Sequence, residues 1–168
     1  MTSQRRPSAA PKLALRAEPI SRQKLRLWLR LLKTSRAVEA ELRERLRLTF
    51  GTTLPKFDVM AALERQPAGL TMTELSRYLM VSNGNVTGIV DRLVAEGLLV
   101  RRAHEQDRRS TFVRLTSKGT RQFAAMAKAH EAWVGEILVH ITVEEAQSIV
   151  ALLSRSARQD RRLAAIEN

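Results

Sequence analysis

Apolar residues recur at helical spacing through most of the chain. Between 21 and 49, Leu25, Trp28, Leu29 and Leu32 fall at i, i+3, i+4 and i+7, and Leu31, Val38, Leu42 and Leu46 make a second stripe. The apolar arc at the start of this segment is wider than one neighbour requires. The helix is therefore expected to pack on two surfaces, the protein's own core and a partner subunit. Gly51 ends it. Pro55 suits the first position of a helix over 55–65, with Phe57, Met60 and Leu63 inward, and Pro67-Ala68-Gly69 breaks it. Thr71 with Glu74 three residues on reads as a capping box for a short helix ending at Tyr78 or Leu79. Val81-Ser82-Asn83 is a turn. Ser82 is expected to cap a helix whose stripe is Val86, Ile89, Val90 and Leu93, and Gly97 stops it.

The periodicity then changes. Leu98–Ala103 and Thr111–Leu115 are β-rich, and the polar run 104–110 between them predicts a hairpin with a long charged tip. Thr116 opens a helix carrying Phe123, Met126, Ala127, His130, Trp133, Val134 and Ile137 on one side, and Thr142 with Glu145 starts a last one with Ile149, Val150, Leu152 and Leu153. The order helix, helix, helix–turn–helix, hairpin, helix, helix predicts a mainly α fold, a winged helix-turn-helix with an added helical dimerisation region. The expected divisions are a flexible basic arm over 1–18, a winged helix-turn-helix over 51–116, and a dimerisation region made of 19–50 and 117–168.

Composition narrows the function. The 168 residues carry a net charge of +12 and no cysteine. Thiol nucleophiles, cysteine zinc sites and thiol redox sensing are excluded. No apolar run approaches the roughly 18 residues of a membrane span and no apolar leader is visible, so no membrane partner is expected and the cytoplasm is the default. The charge points to a polyanionic partner. It is unevenly placed: nine Lys and Arg face three Glu between 21 and 50, whereas the last fifty residues balance.

A helix-turn-helix sets the N-terminal residues of its second helix against base edges in the major groove. Opposite the apolar stripe of that helix lie Asn83, Gly84, Thr87, Gly88 and Asp91, with Asn85 and Arg92 at the edges. Asn can pair bidentately with adenine, and Thr can meet a thymine methyl. Glycines at 84 and 88 each cost about 1 kcal/mol of helix propensity, a cost that close backbone approach to the groove floor would explain. On the hairpin tip, Arg108 and Arg109 suit the negative minor groove, and Asp107 can hold an arginine extended. Ser82, Asn83, Gly84, Asn85, Thr87, Arg92, Asp107, Arg108 and Arg109 are the candidate DNA contacts.

The run from Leu70-Thr71-Met72-Thr73-Glu74-Leu75 through Val81–Thr87 to Asp91-Arg92-Leu93, Glu96-Gly97-Leu98, then Asp107-Arg108-Arg109-Ser110, Val113-Arg114-Leu115-Thr116 and Gly119 resembles the MarR family of bacterial transcription regulators. The resemblance covers residues 21–165. It implies a homodimeric repressor with Arg109 in the minor groove, oriented by Asp107, and with Ser82, Asn83, Gly84 and Thr87 facing the major groove. It also implies an effector pocket where the dimerisation region meets the winged helix. Within the family, Trp28 with Leu29–Leu32, Val81–Gly88 and Ala129–Val134 are most similar to the branch controlling aromatic-acid catabolism, the hydroxycinnamoyl-CoA-responsive CouR type.

Trp28, Leu32, Phe57, Met60, His130 and Trp133 could wall a pocket for an aromatic group, or they could be core. Arg36 continues the Trp28–Leu32 stripe where an apolar residue is expected. It could snorkel to the surface or bind a phosphate or carboxylate at a rim. The expected effector is an aromatic acyl-CoA, the alternatives being a free aromatic carboxylate or no effector at all. His104, His130 and His140 have no metal spacing, and no phosphate loop or nucleophile–base motif appears. An enzyme, a metal site and a cofactor are therefore not expected. RNA binding is disfavoured by 4% aromatic residues and no aromatic-rich sheet.

Overall fold

The computed structural model describes residues 20–103 and 111–164. The N-terminal arm and the hairpin-tip residues Asp107, Arg108 and Arg109 lie outside the described residues. Helix α1 spans Ile20–Phe50, α2 Leu54–Glu64, α3 Met72–Leu79, α4 Asn83–Ala95, α5 Ser117–Ile137 and α6 Val143–Ala164. Strands β1 (Leu70–Thr71), β2 (Leu99–Ala103) and β3 (Thr111–Leu115) complete the order. The chain divides after Ala37 into two units, 1–37 and 38–168.

In the first unit α1 is exposed all round from Ser21 to Arg30, and Leu31 and Leu32 are half-buried. Leu25, Trp28 and Leu29 are each more than half exposed. The periodicity predicts the helix, and within this unit the described residues leave most of the apolar stripe exposed.

In the second unit α2 is the centre. It buries Leu54, Phe57, Val59, Met60, Ala62 and Leu63, so it is apolar round its circumference, and it packs against α3, α4, α5 and β3. Around it close Leu46 of α1, Leu75 of α3, Val86, Val90 and Leu93 of α4, Val113 of β3, and Phe123 and Met126 of α5. Pro55 sits in the first turn of α2, where its missing N–H costs nothing, and the Thr53 hydroxyl accepts from the Lys56 N–H.

The sheet is antiparallel in the order β1-β3-β2. Leu99 pairs with Leu115 and Ala103 with Thr111, which is the expected hairpin; Leu70 and Thr71 add a short third strand on Val113 and Phe112. The chain enters β2 through Gly97 at φ 71°, a left-handed turn that suits glycine. Thr116 then joins hairpin to α5: its hydroxyl lies 2.8 Å from the Gly97 carbonyl and accepts from the Gly119 N–H at 3.0 Å. Gly119 is obligatory there, because a Cβ would lie 2.1 Å from the Leu98 carbonyl oxygen.

Candidate nucleic-acid interface

The α3–turn–α4 unit begins with the full capping box expected. Glu74 N–H donates to the Thr71 hydroxyl at 3.2 Å, and Thr71 N–H donates to the Glu74 carboxylate at 2.8 Å. The Thr71 N–H first, and then the Thr71 hydroxyl, which donates to the same carboxylate at 2.8 Å, hold the Glu74 carboxyl below the usual carboxylate range. The helix closes on Met80 in the left-handed region at φ 54°. The Val81 N–H returns to the Ser76 carbonyl at 3.1 Å, which turns the chain into α4.

Ser82 occupies the N-cap of α4 by backbone conformation, but its side chain makes no capping hydrogen bond. The expected cap is corrected on that point. Its backbone is extended, as an N-cap requires, and the residue is exposed. Val86, Val90 and Leu93 bury the inner face completely. Asn83, Gly84, Asn85, Thr87, Gly88, Asp91 and Arg92 are all exposed on the outer one. A Cβ on Gly84 or Gly88 would meet no atom within 4 Å beyond the helix itself and the adjoining residues. Thr87 donates its hydroxyl proton to the Asn83 carbonyl at 2.8 Å, so outward it offers a methyl and an acceptor.

Ion pairs unseen in the sequence fix this helix. Asp91 meets Arg101 of β2 at 2.6 Å. At the other end the Glu96 carboxylate pairs with Lys56 of α2, and the Glu96 carbonyl accepts from the Lys118 ammonium at 2.8 Å. Two cations at a helix C-terminus also complement its dipole. The separations of 10, 40 and 22 residues leave no local periodicity to find them by.

The aromatic candidates divide. In the second unit Phe57 stacks on His130 at 4.6 Å and lies 5.5 Å from Phe123. These three, with Ala61, Glu64 and Arg65, line a cleft of about 400 Å³. Arg65 donates to the Tyr78 hydroxyl at 3.1 Å. Burial pushes the His130 imidazole below its ordinary pKa. Met60 is buried in the core and does not line the cleft. Trp133 packs 6.1 Å from Phe50 instead. Trp28, Leu32 and Arg36 belong to the first unit, where Trp28 and Arg36 are exposed and Leu32 is half-buried. Glu64, Arg65 and Phe123 are not among the pocket residues expected from the sequence. Phe123 carried a signal, being on the inner stripe of α5; Glu64 and Arg65 carried none.

A helix–turn–helix backed by an antiparallel hairpin is the winged helix-turn-helix class, on a mostly helical chain. The family model described as MarR family matches residues 50–110. A MarR family transcriptional regulator from Silicibacter pomeroyi has a similar structure, with TM-score 0.71 and 33% identity over 83% of this chain and 96% of that one. The transcriptional regulator BldR from Sulfolobus solfataricus aligns at TM-score 0.71 and 27% identity, covering 82% of this chain and 99% of its own. In sequence, the transcriptional activatory protein BadR of Rhodopseudomonas palustris is 33% identical over 114 residues, 66% of this chain and 60% of that protein. The chain spans about three fifths of the length of the curated relatives it matches. The chain belongs to the MarR family.

Proposed function

We propose that the protein is a sequence-specific DNA-binding transcriptional regulator, acting in the cytoplasm and not an enzyme, with α4 in the major groove and the hairpin tip in the minor groove. The observation that carries this reading is the outer face of α4. Two glycines that no internal packing requires stand among Ser82, Asn83, Asn85, Thr87 and Arg92, all exposed. The net charge of +12 and the regulators among the relatives support it. Among the described residues no helix is long and apolar enough to cross a membrane. The test is binding to a duplex selected from random sequence by this protein. Affinity should fall with salt with a log–log slope of about 0.9 per phosphate contacted, and a flat dependence rejects DNA binding. Arg109→Ala should weaken binding; unchanged affinity takes the wing out of the groove.

The protein works as a homodimer in this reading, with 19–50 and 117–168 forming the paired region, 51–116 the DNA reader and 1–18 a basic arm. Exposed Leu25, Trp28 and Leu29 in the first unit and Ile149, Val150 and Leu153 on α6 support a second copy as their cover. Sedimentation as a concentration-independent monomer would remove the dimer.

The regulator is a repressor released by an aromatic effector, an acyl-CoA thioester of the hydroxycinnamoyl type, as in the CouR branch. The aromatic cleft of Phe57, Phe123 and His130 supports the aryl group. The cations of the first helix, Arg36 among them, support the phosphates. Titration of the protein–duplex complex with aryl acids, their CoA thioesters and CoA alone decides the class. Release by the free acids as readily as by the thioesters means a free-carboxylate effector, and no release by any means an effector-independent DNA-binding protein. A promoter–reporter fusion reads the sign of regulation, which differs in a relative named as an activatory protein.

A further inference from the structure

Asp91 is an unexpected residue on the outer face of α4. It lies seven residues from Gly84, four from Thr87 and three from Gly88, so it shares the stripe proposed to enter the groove. A lone carboxylate there would repel DNA phosphates. It is not alone, because its Oδ1 meets the Arg101 guanidinium 2.6 Å away on β2, and both side chains remain partly exposed, 53% and 38%. Leu99 and Arg101 alternate onto the same side of β2, and β2 packs against α4. The ion pair therefore ties the recognition helix to the wing strand at the border of the reading face. A guanidinium has five donors, and one carboxylate does not use them all.

We infer that Arg101 is a phosphate-contacting residue of this interface and that Asp91 is its positioning residue, aiming the guanidinium along the edge of the groove and fixing the spacing of α4 and wing. This rests on the DNA-binding reading above. Asp91 costs some attraction to any DNA and returns it only where helix and wing are docked together, so it acts as a selectivity device.

The test uses the full chain, the selected duplex, an unrelated duplex, and thermal unfolding of each variant. Arg101→Ala should lose about tenfold in affinity for the selected duplex and flatten the log–log salt slope by about 0.9, one phosphate's share, with little change in melting temperature. Asp91→Asn should weaken the selected duplex and tighten the unrelated one, so that selectivity falls while the salt slope stays. The exchange D91R with R101D keeps the pair and the melting temperature but should not regain affinity. Full recovery by the exchange, or an unchanged slope in Arg101→Ala, would show a purely structural tie and overturn the proposal. Equal tightening of both duplexes by Asp91→Asn would reduce Asp91 to simple repulsion, with the same consequence. If the wild-type chain binds neither duplex, the regulator reading itself fails, visible before any variant is made.

Discussion

Gly119 and the pair Gly84 and Gly88 are all helical glycines, and they are glycine for opposite reasons. At the start of α5 a methyl group would stand 2.1 Å from the Leu98 carbonyl oxygen; on the outer face of α4 it would stand in open space. The fold demands the first and is indifferent to the other two. An exposed helical glycine that no neighbour requires is a stability cost left in place, and a surface that must be approached closely is a reason to leave it.

The contrast is broken most directly by putting alanine at each site. Gly119→Ala should cost about 3 kcal/mol, because the Leu98 backbone has no flexible end to move aside, and thermal unfolding should show it with DNA binding lost in consequence. Gly84→Ala and Gly88→Ala should do the reverse. Each should raise stability by about 0.5–1 kcal/mol and weaken the selected duplex about tenfold. Unchanged affinity in both would mean that the groove floor is not approached at these positions.

The two helix starts of the reading unit sharpen it further. Thr71→Ala removes the hydroxyl half of a real capping box, leaving the residue-71 N–H on the Glu74 carboxylate, and should cost about 1 kcal/mol of stability. Ser82→Ala removes no capping bond, so stability should hold within about 0.5 kcal/mol while DNA affinity falls. A large loss of stability at Ser82 would place its hydroxyl in the fold after all.

The smallest effect concerns the cleft. Burial lowers the His130 pKa in the folded chain, so the unfolded chain takes the proton more readily. The neutral ring's contribution is complete above the ordinary value of about 6.5 and is lost as pH falls below it. A denaturation series should show His130→Phe, which keeps a ring against Phe57, losing less stability than the wild type between pH 6.5 and 5.

What was legible in the chain is what neighbouring residues decide. Thr71 with Glu74, Thr142 with Glu145, Pro55 and Gly97 act within one turn of their own backbone, and each element they bound falls within a residue or two of its expected place. The inner stripe of α4 was equally plain, since helical periodicity is local geometry. Leu70–Thr71 was not read as a strand, because two residues have no period; only pairing with Val113 and Phe112 makes them one. Ser82 shows the limit within a single turn, since a capping residue can hold the right backbone angles without making the bond.

The sequence by itself determined the helices, the hairpin, the face of α4 that turns away from the core, and the family resemblance, all of them consequences of spacing and local chemistry. Only the tertiary structure decided which glycines are obligatory, which candidate aromatics share a cleft, and which charges are paired. Phe57 meets His130 and Asp91 meets Arg101 because α2, α4, α5 and β2 pack round one core. Contacts between elements depend on how the whole chain closes, and no window along the sequence contains that information.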